Sequence, residues 1–314
     1  MNETVPSPPA RRAASPHRPS SDPSGKASAK DASRTRPLWL AFLIFLGPML
    51  LANVLQSLSG TINSVFVGQL LGTQALAAVA SVFPIIFFLI SLVIGIGAGA
   101  SVLIGQAWGA RETHKVKAIA GTALALGLVI GAAIALLGGT LTGQMLRLLR
   151  TPPSVLADAI GYARLMMFAM PGLLVFILAT QLMRGVGDTV TPLLALLIST
   201  AVSCALTPAF IQGWAGLPRL GVTSAAAASI CAFVLALAFM AWYMRRKNHP
   251  LSPDLELLRA LRIDPALLRL VVKIGLPTGM QVIVMSLAEI VLLSLVNGFG
   301  ADATAAYGAV NQVV

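Results

Sequence analysis

Seven stretches of this chain are each apolar over roughly the 20 residues a helix needs to cross the hydrocarbon core of a bilayer, about 30 Å thick. They run at about 38–67, 76–104, 117–140, 157–182, 190–212, 222–244 and 267–298. Composition agrees: 57% of the residues are apolar and 11% charged, where a soluble domain carries about 25% charge. The expected fold is an all-α integral membrane protein, a polytopic helical bundle. The first, second and seventh stretches exceed the minimum length, so tilt or protrusion is expected. Pro84, Pro171 and Pro208 fall deep inside their stretches, and Pro48 and Pro277 lie near the starts of theirs. Each removes a backbone donor and can kink its helix.

A net charge of +11 would by itself suggest nucleic acid or an anionic surface. Placement decides otherwise. If the spans alternate, the tail before residue 38, the loops at 104–117 and 182–190, and the segment 245–273 lie on one side and hold 18 of the 22 Lys and Arg. Arg147, Arg150, Arg164 and Arg219 lie on the other side. Excess positive charge marks the cytoplasmic face, so the N-terminus is expected in the cytoplasm, and no nucleic-acid partner is expected. Residues 1–37, rich in Pro, Ser, Ala and Arg, are expected to form a disordered cytoplasmic tail without the apolar run and cleavage site of a signal peptide. Cys204 and Cys231 lie in apolar runs and imply no disulfide framework. His17, His114 and His249 are too scattered to form a metal cluster with them, so no metal or cofactor is expected.

The chain also repeats itself. GPMLLANVLQSLSGTINSVFVGQLLGTQALAAVA from Gly47 resembles GLPTGMQVIVMSLAEIVLLSLVNGFGADATAAYGAV from Gly275, with Gly72, Ala75, Ala77 and Ala78 matching Gly300, Ala303, Ala305 and Ala306. Each copy reads as a proline near the start, a long helix, a Gly turn and an Ala-rich start of the next helix. Six spans separate the copies, so both cross in the same direction, as in a parallel repeat. The expected organisation is a six-helix lobe at 38–244, a cytoplasmic linker at 245–266 and the start of a second lobe at 267–314. The second copy breaks off a few residues into its second helix, which suggests a truncated form of a protein of about twelve spans.

The stretches NSVFVGQLLG at 63–72, IGQAWGA at 104–110, LMRGVGDTVTPL at 182–193, IGLPTGMQ at 274–281 and LVNGFGADATAAYGAVNQ at 295–312 resemble the multidrug and toxic compound extrusion (MATE) transporters. The likeness covers all but the tail. It implies twelve helices in two lobes, and secondary active efflux of small amphiphilic, often cationic, organic compounds in exchange for Na⁺ or H⁺. It also implies residence in the plasma membrane, the inner membrane of a bacterium, as a full-length monomer with the lipid bilayer as its surroundings. Many proton-coupled relatives carry an Asp late in the first helix. Asn63 stands there in this chain and cannot titrate, which weakens proton coupling through that position.

Candidate functional residues follow from polarity at membrane depth. Asn53, Gln56, Ser57, Gly60, Asn63 and Ser64 occupy about 120° of one helix face. Buried amides need partners, so the face lines a cavity or binds another helix. Glu289 is the only acidic residue deep within a span. An ionisable group there is costly and marks an ion or substrate site by default. Thr278, Gln281, Ser286 and Asn297 share its broad face. Arg184 and Asp188, with Gly185 and Gly187, are expected to pair and fix a tight turn. Gly105, Gln106 and Gly109 are expected to end the second span, with Gly109 as its cap. Gly95, Gly97 and Gly99 give the small-residue spacing of a close helix contact. The segment 245–273 is expected to lie as an amphipathic helix on the inner leaflet. A flippase for lipid-linked precursors would need intramembrane cations that are nearly missing, and a membrane enzyme would need a clustered His, Asp or Ser site that is absent from the sequence. The remaining alternative is an inactive fragment.

Overall fold

The computed structural model describes residues 38–214, 221–247 and 249–311; the N-terminal tail at 1–37 and Arg219 lie outside these residues. Two compact units divide between Leu43 and Ile44. Among described residues the first contributes only the opening of helix α1, and the second carries everything discussed below. The elements are α1 (Leu38–Leu71), α2 (Thr73–Gly109), α3 (Thr113–Leu148), α4 (Leu156–Gly185), α5 (Val190–Gln212), α6 (Thr223–Arg246), α7 (Leu255–Ala260), α8 (Pro265–Asn297) and α9 (Ala301–Asn311). The fold is an all-α integral membrane bundle. Seven of these helices are long and apolar enough to span a bilayer, at the seven places the apolar runs indicated. α2, at 37 residues, is about 55 Å long, well beyond the hydrocarbon thickness.

The two repeat copies share their turn. Gly72 between α1 and α2 has φ 89°, and Gly300 before α9 has φ 101°, both in the left-handed region that favours glycine. Each carbonyl accepts the first helical bond of the next helix, from Leu76 N–H at 3.3 Å and from Thr304 N–H at 3.2 Å. Asn297 secures the second copy. Buried at the end of α8, it donates to the Leu149 carbonyl beyond α3 (2.9 Å) and accepts from the Thr304 hydroxyl (2.9 Å).

α4 is the most enclosed span, and α2, α3 and α6 pack around it through small residues. A Cβ at Gly131 of α3 would lie 2.5 Å from Pro171 Cα, and one at Gly185 would lie 2.7 Å from the Ser101 carbonyl oxygen of α2. Pro48, Pro84, Pro171, Pro208 and Pro277 all lie within continuous helices.

Three expectations about helix ends need correction. Gly109 is still helical; the left-handed residue that closes α2 is Arg111 (φ 61°), with Glu112 N–H bonded to the Ala107 carbonyl (2.9 Å) and Arg111 N–H to that of Trp108 (3.0 Å). This is a Schellman closure built on a non-glycine residue. The α4–α5 turn closes in the same way on Gly187 (φ 86°). Arg184 and Asp188 do not pair across that turn. Arg184 turns back to Gln181 (3.4 Å), while Asp188 caps α5, accepting from the N–H groups of Val190 (3.1 Å) and Thr191 (3.0 Å) and from the Thr191 hydroxyl. Orphan amides at a helix start compete for a carboxylate more effectively than a guanidinium one turn away. Asp188→Ala is therefore expected to lower unfolding stability by about 1 kcal/mol, with Asp188→Ser recovering most of it, as read by thermal melting of the purified protein.

The third correction concerns 245–273, which is not one helix. α6 ends at Arg246, Pro250 and Pro253 interrupt the chain, and Asp254 caps the short α7 through Leu257 N–H (3.1 Å). Asp264 then caps α8 through Ala266 N–H (2.8 Å), with Pro265 in the first turn. The segment forms a strap fastened to α3, α6 and the α4–α5 turn. Lys117 of α3 binds both Asp254 (2.8 Å) and Glu256 (2.6 Å). Arg245 donates twice to the Pro253 carbonyl, and the Thr122 hydroxyl donates to that of Arg262 (3.2 Å).

His249 forms the fourth fastening. Its Nδ1 accepts from Leu251 N–H (3.2 Å), and its Nε2 lies 3.5 Å from Asp188. That arrangement requires a neutral ring. Burial holds His249 below its usual value of 6.5, with Asp188 partly opposing, so the docked state resists protonation. Docking is therefore complete above pH 6.5 and weakens as pH falls through the window below it. The Lys117–Asp254 bond persists to lower pH, because the Lys117 hydrogen bond holds the Asp254 carboxyl below its usual 3.8. Amide exchange at Leu251, corrected for intrinsic rate, is expected to accelerate between pH 7.5 and about 5.5, and His249→Gln is expected to remove that dependence.

Candidate functional site

The closest helix approach joins α2 to α8. Gly95 and Gly99 face Gly279 and Gly275 in antiparallel register; a Cβ at Gly95 would lie 2.7 Å from Gly279 Cα, and one at Gly275 would collide with the Gly95 carbonyl. Gly99 and Gly275 are each ten residues, about 15 Å, from the strap-side ends of their helices. Two backbones at this distance leave no passage between α2 and α8. The small-residue spacing read in the sequence thus has its partner in the Gly275–Gly279 pair, which sequence reasoning did not single out.

On the far side of this crossing α9 packs on α2, with Gly308 against Ala80. A small cleft remains, lined by Ser64 of α1, Phe83 and Pro84 of α2, and Tyr307 and Asn311 of α9. Glu289 stands beside it on α8, half-buried, its Oε1 accepting from the Asn311 side-chain amide at 2.6 Å. Among the described residues no Lys or Arg pairs with Glu289, so its charge is not compensated by a neighbour. A carboxylate with an amide partner, beside a cleft whose polar lining is neutral (Ser64, Tyr307 and Asn311), can accept a further donor or a cation. Tyr307 and Asn311 were missed from the sequence as site residues. Their signal was faint: two polar side chains four apart in the Ala-rich opening of α9.

The remaining candidates separate. Asn63 lies about two and a half turns before Gly72, nearly the depth of Glu289 before Gly300, but its carbonyl oxygen accepts from the Thr207 hydroxyl of α5 (3.2 Å). It therefore joins α1 to α5. Asn53, Gln56 and Gln281 are exposed and outside the cleft. Ser286 is buried and returns its hydroxyl to the Val282 carbonyl (2.8 Å), while Thr278 is exposed. The polar face of α8 is thus divided among packing (Ser286, Asn297), the cleft (Glu289) and the exposed surface (Thr278, Gln281). Gly105 approaches the Gly185 carbonyl, where a Cβ would lie 3.3 Å away, and Gln106 is exposed with its backbone carbonyl holding Ala110 N–H (3.0 Å). With Gly109, Arg184, Gly187 and Asp188 they shape the ends of α2 and α4 and stand apart from the Glu289 cleft. Among the described residues no group of three His, Cys, Asp or Glu is placed to hold a metal ion.

Comparison with known proteins gives this arrangement its context. Over 276 residues the chain is 41% identical to "Probable multidrug resistance protein YoeA" of Bacillus subtilis, covering 88% of this chain and 60% of that one. It is 25% identical over 272 residues to "Multidrug export protein MepA" of Staphylococcus aureus, covering 87% and 59%. The chain thus spans about 60% of the length of these curated relatives. Among solved structures it superposes with TM-score 0.70 and 25% identity on a multidrug resistance MATE family transporter of the MOP superfamily in an inward-facing conformation, covering 82% of this chain and 56% of that one. With TM-score 0.77 it also shares the fold of the MATE multidrug transporter DinF-BH, at 21% identity and covering 84% and 58%. The MatE family model matches residues 48–209, more than half of the sequence, and the chain belongs to that family.

Proposed function

We propose that this chain belongs to a secondary active exporter of small amphiphilic organic compounds, organic cations foremost, driven by inward Na⁺ or H⁺. The carrying observation is Glu289: a carboxylate with no Lys or Arg partner among the described residues, beside a small cleft, with the α2–α8 glycine crossing closing the strap side. Such a site attracts a cation by charge; at about 20 Å³ the cleft is closed to an organic body in this conformation and must widen to seat one against Phe83, Pro84 and Tyr307. Competition between a coupling ion and an organic cation for one carboxylate yields exchange, provided the α2–α8 crossing opens on the strap side when the far side closes. The excess of Lys and Arg on the strap side supports a cytoplasmic orientation for that face and for the N-terminus. On this reading the first lobe is 38–244 and the start of the second is 267–314, with the strap between them. The names of the YoeA and MepA relatives support the same reading.

Release of a preloaded fluorescent organic cation from cells that lack other exporters tests this. Faster release under an imposed inward Na⁺ gradient identifies sodium coupling, and faster release under an inward proton gradient identifies proton coupling. Release no faster than in cells without the protein, under both gradients, overturns the proposal.

A further inference from the structure

A second cavity lies far from Glu289, on the strap side of the bundle. α3 and α6 flank α4 and leave between them a groove of about 350 Å³. Val175, Ala179 and Met183 of α4 form its floor, spanning about 12 Å along the helix. Leu124 and Met240 stand on its walls, and Leu251 and Pro253 of the strap cover one end. All its lining residues are apolar. Its volume falls within the about 300–1,000 Å³ typical of small-ligand sites.

The covered end is basic. Arg245, one turn beyond Ala241 of the groove wall, places its Nε and Nη2 on the Pro253 carbonyl at 3.0 and 2.7 Å. A carbonyl leaves the guanidinium charge uncompensated. Arg246 lies over the Trp242 ring at 5.3 Å and Lys247 over Tyr243 at 4.6 Å. Lys117 binds both nearby carboxylates, Asp254 and Glu256, and offsets one of their two charges, so Arg245, Arg246 and Lys247 still leave this end positive. Trp and Tyr beside Arg and Lys at the end of a span are the mark of the membrane–water boundary.

An apolar slot ending in uncompensated cations at that boundary fits an amphiphile with an anionic head. We infer that this groove binds one anionic phospholipid of the surrounding leaflet, an acyl chain lying along α4 between α3 and α6 and the phosphate meeting Arg245. An organic cation would meet guanidinium groups there instead of a carboxylate. The strap, which also joins α6 to α8, covers the end of the groove, so an occupied groove stabilises the strap in its docked position.

The test uses the purified chain with phosphatidylglycerol and phosphatidylcholine of identical acyl chains. Native mass spectrometry is expected to show phosphatidylglycerol retained at least fivefold over phosphatidylcholine, and Arg245→Gln to reduce that preference about fivefold, as expected for one cation near a membrane surface. A phosphatidylglycerol bearing a diazirine on its acyl chain is expected to label residues of the α3, α4 and α6 groove, and Ala241→Phe to displace that label. Arg245 is exposed, so its variant remains informative if Ala241→Phe fails to fold. Equal retention of the two lipids overturns the inference. So does label confined to the outer surfaces of α1 and α5, or groove labelling by a photoreactive organic cation that phosphatidylglycerol cannot displace.

Discussion

Glu289→Gln is expected to reduce dye efflux at least tenfold while leaving expression and thermal melting unchanged. The substitution preserves shape, and a Gln oxygen still accepts from Asn311, so only the charge is removed. At about 4 Å and an effective dielectric near 20, attraction between a carboxylate and a cation is roughly 4 kcal/mol, enough to change affinity by far more than tenfold before desolvation is offset. Asn311→Ala should have a smaller effect, since it removes a neutral donor and leaves the carboxylate in place. Equal losses in the two variants would assign the site's role to the hydrogen bond rather than to the charge.

Gly275→Val is expected to abolish efflux and also to lower the melting temperature, in contrast with Glu289→Gln. A branched side chain at this position collides with the Gly95 backbone, which cannot yield as a flexible side chain would. Overpacking of this kind costs about 1–3 kcal/mol. The functional loss should exceed what the lower stability explains, because α2 and α8 could no longer close the strap side. Gly109→Val is the control: nothing lies within 4 Å of a Cβ there, and both efflux and melting should remain near their original values.

Local patterns made the spans legible because hydrocarbon imposes a length and a polarity that each segment must meet by itself. The Gly72 and Gly300 turns were legible for a similar reason: a repeated turn between apolar helices leaves a repeated glycine. Contacts between distant segments left no such trace. Lys117 and Asp254 are 137 residues apart; Lys117 was read only as a loop charge and Asp254 was not singled out, yet their pairing helps dock as a strap a segment expected to be an amphipathic helix. Asp188 was read against its nearest opposite charge, whereas open amides at the start of α5 claim it. Glu289 was found because a lone carboxylate in a span is conspicuous. Tyr307 and Asn311 were not, because their importance lies in the turn that folds α9 back against α8.

The most direct measurement is binding of a fluorescent organic cation to the purified protein, titrated with Na⁺ and with pH, in the original protein and in Glu289→Gln. The account predicts that Na⁺ or protons displace the dye from the original protein, and that Glu289→Gln both weakens dye binding and abolishes the competition. Unchanged dye affinity with intact ion competition in Glu289→Gln would contradict it.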